Sequence, residues 1–353
     1  MKETYLLKTK GAQQLYLEHA KGLPIIDFHN HVSVADIASD RRFENLYELW
    51  LASDPYKHRL MRICGVDERF ITGDASPYEK FEKYCEVFPH LAGNPVYDWS
   101  RMELSRIFGI EELPTKERAR YLYDQCGEML SSREFSGNAI LSRFHIEYQS
   151  PVATLLDDLS LFDGKTVAPS LRGDELLAPT PEFEAMLLER TGITVTDTES
   201  YIQAVAVILD QFAQKGCRFA DHALDAGFFV GDTDGKKAEI LALLGIEYAK
   251  RGWTLLLHLD AKRKTSSRLA RVAGPAGGYA SVGGSFDLSS LCDLLGRMEE
   301  QGPHQLHLFQ ALKTAQKNCL YHRQNPKAVS VFYRAFQIPS SNTRCDLCSR
   351  HRL

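Results

Sequence analysis

Residues 25–32 read Ile25-Ile26-Asp27-Phe28-His29-Asn30-His31-Val32, and the fold turns on how they are read. Pro24 precedes them, and half of the stretch is β-branched or aromatic, so it predicts a short buried strand. Strand side chains alternate faces, which puts His29 and His31 on one face at the C-terminal end. Two imidazoles so placed can grip one divalent metal, because zinc and similar ions take neutral ring nitrogens. Asp27 shares that face and can orient a ligand or accept a proton. Two hydrogen-bonded polar residues at a strand end would show the same spacing.

The 353 residues are 44% hydrophobic and 25% charged, enough for one large core or a core with a smaller lobe. A net charge of −4 does not point to nucleic acid. No apolar run is long enough to span a membrane. The first residues lack the apolar block of a signal peptide, so a cytoplasmic location is expected. Cys64, Cys85, Cys126, Cys217 and Cys292 lie far apart and read as buried free thiols.

Residues 1–34 hold an amphipathic helix over 10–21 and then the first strand. Residues 35–147 turn helical, with apolar residues at three- and four-residue spacing over 43–52, 56–64, 77–87 and 116–130. They read as a helical insertion domain. Over 148–302 strand and helix alternate. Strands are expected at 151–156, 165–171, 217–221 and 253–259, and helices at 181–190, 200–215, 236–251 and 288–301. Repeated pairs predict an α/β fold with a parallel sheet, foremost a (β/α)8 barrel of the TIM type. Such barrels place their chemistry at the C-terminal ends of strands. On this reading His29, His31, Arg172, His222 and His258 all fall there, which core packing explains poorly.

Further stretches, taken in series, resemble one family. Asp27-Phe28-His29-Asn30-His31 is similar to the first-strand metal motif of the amidohydrolase superfamily. Tyr56-Lys57-His58-Arg59-Leu60-Met61-Arg62 with Gly65-Val66, then Thr72-Gly73-Asp74-Ala75-Ser76 and Gly93-Asn94-Pro95-Val96-Tyr97, resemble the uronate (glucuronate) isomerases within it. Pro169-Ser170-Leu171-Arg172-Gly173-Asp174 resembles the end of the third strand. Gly216-Cys217-Arg218-Phe219-Ala220-Asp221-His222-Ala223-Leu224-Asp225 resembles the fourth. Gly252-Trp253-Thr254 and Leu257-His258-Leu259-Asp260-Ala261-Lys262-Arg263 resemble the fifth. Gly274-Pro275, Gly278-Tyr279 and Ser281-Val282-Gly283 are similar to the loop that follows. The likeness runs from residue 1 to about 302.

The resemblance implies a metal-dependent-hydrolase-like barrel and an aldose–ketose isomerisation of hexuronates. D-glucuronate would give D-fructuronate, and D-galacturonate would give D-tagaturonate. A proton moves from C2 to C1 through an enediol-like intermediate. That needs a base near C2 and a group that stabilises charge on the carbonyl oxygen. A divalent metal held by His29 and His31, zinc by expectation, can do the second job or anchor substrate oxygens. A carboxylate is best met by a guanidinium fork, so Arg172 is the candidate clamp and Arg263 the second. Tyr56, His222 and His258 are candidates for proton handling or hydroxyl contacts. Each has a plainer reading: Arg172 paired with Asp174, Asp221-His222 as a buried polar pair, and His258 as a core histidine. Arg263 can belong to a solvated basic run, and Tyr56 can simply pack. The expected partner is a small hexuronate, with neither nucleic acid nor membrane; homo-oligomerisation is left open.

The departures carry weight too. Pro55 stands where the family has a histidine, with His58 one turn on. Asp260 replaces a usual glycine, and Ala276 and Ala280 replace acidic positions. The family's last strand supplies an Asp metal ligand and an Arg in a Thr-Asp-Ser-Arg motif, and none follows residue 263. Residues 303–353 hold eight Lys and Arg against one acidic residue, Asp346. The shift suggests a segment read out of frame or of foreign origin, which would leave the barrel incomplete. Sequencing the codons for residues 295–310 tests this; an intact frame matching relatives removes it. Cys319-x-x-His322 and Cys345-x-x-Cys348 have zinc-finger-like spacing and support a rival, metal-bound tail. Three functions therefore stand: a uronate isomerase, a metal-dependent hydrolase of the same superfamily, and a non-catalytic remnant.

Overall fold

A computed structural model describes residues 4–5, 7–229, 231, 235–277, 279–283, 287–301 and 307–310. Both metal-spaced pairs of the tail lie outside the described residues. Cys85, Cys126 and Cys217 are buried as expected, but Cys292 is exposed and so is Cys64, which ends the helix Pro55–Ile63. The chain divides into two compact units. One comprises residues 1–152, 158–168 and 262–281, and the other 153–157, 169–261 and 282–353.

In the first unit, β1 (Ile25–Asn30) pairs in parallel with β2 (Ile146–Ala153), Ile25 opposite Ile146 and Asn30 opposite Pro151. Strand β2 starts before the expected 151–156 span, and Gln149 bridges to Val167. The strand expected over 165–171 is thus split: Val167 makes this bridge, and a regular strand begins only at Ser170. β1 is a strand as expected, yet it is not buried. Ile25 and Ile26 are 44% and 43% exposed. Among the described residues β2 is its one strand neighbour, so its far edge has no neighbouring strand to cover it.

Residues 34–143 form the expected helical insertion. Trp50, Phe81, Tyr84, Phe88, Leu104, Leu122 and Leu130 make its buried core. Its helix starts are written in the sequence. Asp54 caps the helix Pro55–Ile63, accepting from the Tyr56 and Lys57 amides, with Pro55 at the first position. Proline suits that position because the missing N–H would have had no helical partner. Ser76 and Glu79 form a capping box on Pro77–Val87, and Asn94 caps Pro95–Glu103. Several of the family-like motifs are therefore helix starts. Lys57 is buried against the Trp50 ring, 3.5 Å from both Asp54 and Glu103.

The second unit carries β3 (Ser170–Arg172), β4 (Phe219–Leu224) and β5 (Thr254–Leu259), parallel and in sequence order. Helices Pro181–Thr191 and Thr198–Gln214 connect β3 to β4, and Gly235–Lys250 connects β4 to β5. The two-stranded sheet of β6 (Ala261–Arg263) and β7 (Ala280–Val282) falls mostly within residues 262–281 of the first unit, and the helix Leu288–Gln301 belongs to the second. Strand β8 (His307–Gln310) then pairs in parallel with β5, Thr254 opposite His307. Residues 307–310 thus belong to the sheet, past the composition break at 303. Leu255, Leu256 and Leu257 are all buried, the mark of a strand covered on both faces. Tyr248, Trp253, Phe212 and Leu241 fill the layer between sheet and helices.

Asp260, just past β5, has φ +60°. A family glycine suits that left-handed backbone, and Asp is among the few residues that tolerate it. Its amide donates to the Leu224 carbonyl, and its carbonyl accepts from Gly283.

Candidate active site

Arg172 is the last residue of β3, at the C-terminal end expected of it. Its Nη1 donates to Asp221 Oδ2 at 2.7 Å and its Nε to Asp174 Oδ2 at 2.9 Å. Asp174 Oδ1 also accepts from the Ala223 amide on β4 at 2.6 Å, and Asp221 accepts from the Gly173 amide through its carbonyl. Asp221 Oδ2 lies 3.3 Å from His258 Nε2 on β5. Asp221 itself is wholly buried, whereas Arg172 and His258 keep about a quarter of their side chains exposed (23% and 27%). A guanidinium, a buried carboxylate and an imidazole thus form one connected row across β3, β4 and β5. Such a row can grip an anion and move a proton.

His222 does not join it. Strand β4 runs on to Leu224, so His222 sits inside the strand and not at the end expected for it. It faces opposite to Asp221, as alternation requires. Its Nε2 lies 2.9 Å from the Tyr248 hydroxyl on the helix Gly235–Lys250, and none of its surface is exposed. Gly173 packs directly on the ring: a Cβ there would stand 2.3 Å from His222 Cε1.

Burial pushes the His222 pKa down to about 4, the attraction of Asp174 and Asp221 offsetting only part of the cost of desolvation. The folded state therefore resists a proton that the unfolded chain accepts near the ordinary value of 6.5. Stability from this group is whole above pH 6.5 and drains away as pH falls towards 4. Melting temperatures should fall across that window, and His222→Gln, which keeps a donor for Tyr248 but does not titrate, should flatten the fall.

The remaining candidates belong to the first unit. His29 is half-buried on β1, and His31 lies just past the strand's end and is exposed. Their ring centroids are 5.3 Å apart at 86°. Two neighbouring imidazoles, one with both ring nitrogens shielded from solvent, suit a divalent metal. Asp27 Oδ2 accepts from the Asn30 side-chain amide, Nδ2, at 2.9 Å. Tyr56 is 69% exposed near the start of its helix. Arg263 ends β6 and is exposed. His58 is desolvated, which lowers its pKa.

Sequence reasoning singled out Arg172 and His258 but put His222 where Asp221 stands. Adjacent strand residues face opposite ways, so one of Asp221 and His222 had to turn from the site. That was the available signal.

A family model described as glucuronate isomerase matches residues 1–242 and 231–321. The uronate isomerase of Caldanaerobacter subterraneus subsp. tengcongensis is 34% identical over 336 residues, covering 86% of this chain and 72% of that one. That of Cellvibrio japonicus is 34% identical over 337 residues, covering 85% and 71%. Among solved structures, the uronate isomerase of Thermotoga maritima superposes with a TM-score of 0.81 at 24% identity, over 92% of this chain and 79% of that one. The glucuronate isomerase of Caulobacter crescentus gives 0.76 at 22%, over 89% and 75%. The architecture is a (β/α)8-type barrel, incomplete over the described residues.

Proposed function

The chain belongs to the glucuronate isomerase family and is an aldose–ketose isomerase of uronates, and from that premise we propose what its side chains do. Arg172 meets the substrate carboxylate, with Arg263 as a second contact. His258, oriented by the Asp221 carboxylate beside its Nε2, carries the proton between C2 and C1. Tyr56, exposed near its helix start, contacts substrate hydroxyls. His222 has no surface to offer a sugar, so its part is to hold β4 and Gly173 in place. The observation that carries this reading is the row from Arg172 through Asp221 to His258.

His29 and His31 would hold a divalent metal, zinc in this proposal. Such an ion, when bound, polarises a carbonyl oxygen and stabilises charge that develops on it. The purified full chain should carry zinc by elemental analysis, and the pair His29→Ala and His31→Ala should lose it with the rest of the fold intact. Zinc retained by that double variant would rule these ligands out. The reaction would serve hexuronate catabolism in the cytoplasm. The deciding assay follows D-glucuronate to D-fructuronate with the full chain, with and without added zinc. Neither turnover nor binding would favour the non-catalytic remnant.

A further inference from the structure

We infer that Asp174 is a positioning residue that aims the Arg172 guanidinium at the uronate carboxylate; the inference rests on the clamp proposed for Arg172. The two oxygens of Asp174 take donors from two different strands. Oδ2 takes Arg172 Nε from β3 at 2.9 Å, and Oδ1 takes the Ala223 amide of β4 at 2.6 Å. Asp221 holds Nη1 from the other side at 2.7 Å. The guanidinium plane is thereby set at two points, with Nη2 turned to neither carboxylate in these hydrogen bonds. A fork held in this way loses little freedom when it meets a planar anion.

Charge alone argues the reverse. Two carboxylates around one guanidinium leave the cluster net negative, so removing Asp174 would strengthen the long-range pull on an anionic sugar. Asp174 and Arg172 keep 38% and 23% of their side chains exposed, however, and water and salt weaken that repulsion. The direction of a hydrogen bond is not screened in this way. Geometry therefore outweighs charge, and the two accounts predict opposite signs. The chemistry also explains the residue type. Both partners of Asp174 are donors, and Asn offers one acceptor and one further donor.

The test uses the full chain, with D-glucuronate affinity from titration calorimetry and KM and kcat from initial rates. Asp174→Asn should weaken affinity and raise KM by about tenfold, the worth of one oriented charged hydrogen bond, with kcat changed by less than about threefold. Asp174→Ser, which keeps an acceptor for the Ala223 amide, should do the same at an unchanged melting temperature and stands in if the Asn variant folds poorly. Arg172→Met should weaken affinity by about 100-fold. The double variant Arg172→Met with Asp174→Asn should be no weaker than Arg172→Met alone, because Asp174 then has nothing to aim. Losses that multiply in the double variant, or a tighter or unchanged affinity in Asp174→Asn while Arg172→Met binds weakly, overturn the inference. If Arg172→Met binds as well as the unaltered chain, or the unaltered chain does not bind D-glucuronate, the clamp itself fails and the inference with it.

Discussion

Asp221→Ala is expected to cost about 3 kcal/mol of stability and to lower kcat by roughly 100-fold or more. The carboxylate has no exposed surface and joins two partners, Arg172 at 2.7 Å and His258 at 3.3 Å. Removing it leaves a cavity under the sheet and strips both partners of their shared acceptor. The cost falls at the lower end for a broken buried pair because Arg172 keeps Asp174. Asp221→Asn should lie between: it accepts from Arg172 but brings an amide donor or a rotated oxygen to His258. Urea unfolding midpoints and initial rates with D-glucuronate check both variants. An Asp221→Ala chain of unchanged stability and rate would leave the row across β3, β4 and β5 without function.

Gly173→Ala is expected to destabilise by about 2–3 kcal/mol, although Gly173 has an ordinary negative φ. The obstacle is steric. The new Cβ would stand 2.3 Å from His222 Cε1 and 2.6 Å from Nε2, and the ring is fully buried. To make room, the imidazole must leave the Tyr248 hydroxyl, which costs a hydrogen bond between two fully buried side chains. The neighbouring Asp174 and Asp221 contacts of Arg172 would shift with the loop, so activity should fall as well. Combining Gly173→Ala with His222→Ala should restore part of the loss, since the smaller side chain vacates the space. Thermal unfolding of the single and double variants decides; no rescue would mean that the strain lies elsewhere.

Much of this was readable from the chain. The helical insertion showed in its apolar spacing, and the structure adds that Asp54, Ser76 and Asn94 cap helices that open on Pro55, Pro77 and Pro95. The alternation of strand and helix over 148–302 announced a parallel α/β fold. Strand ends were less legible. β4 was expected to stop at 221 and runs to Leu224, and that shift moved His222 from the rim into the layer. The exposure of β1 was also missed, because Ile25, Ile26 and Phe28 look alike whether or not a neighbouring strand covers them. The break in composition at 303 hid β8, whose four residues take their place from pairing with β5.

The sequence by itself determined which segments coil and which extend, that His29 and His31 stand at the C-terminal end of the first strand and just past it, and to which family the chain belongs. These follow from local periodicity and ordered motifs, which need no knowledge of distant neighbours. Only the tertiary structure decided that Asp221, and not His222, faces Arg172 and His258, and that Asp174 ties β3 to β4. Register and facing in a parallel sheet are set by hydrogen bonds between strands some 35–50 residues apart, and local propensity is blind to a shift that turns every side chain over.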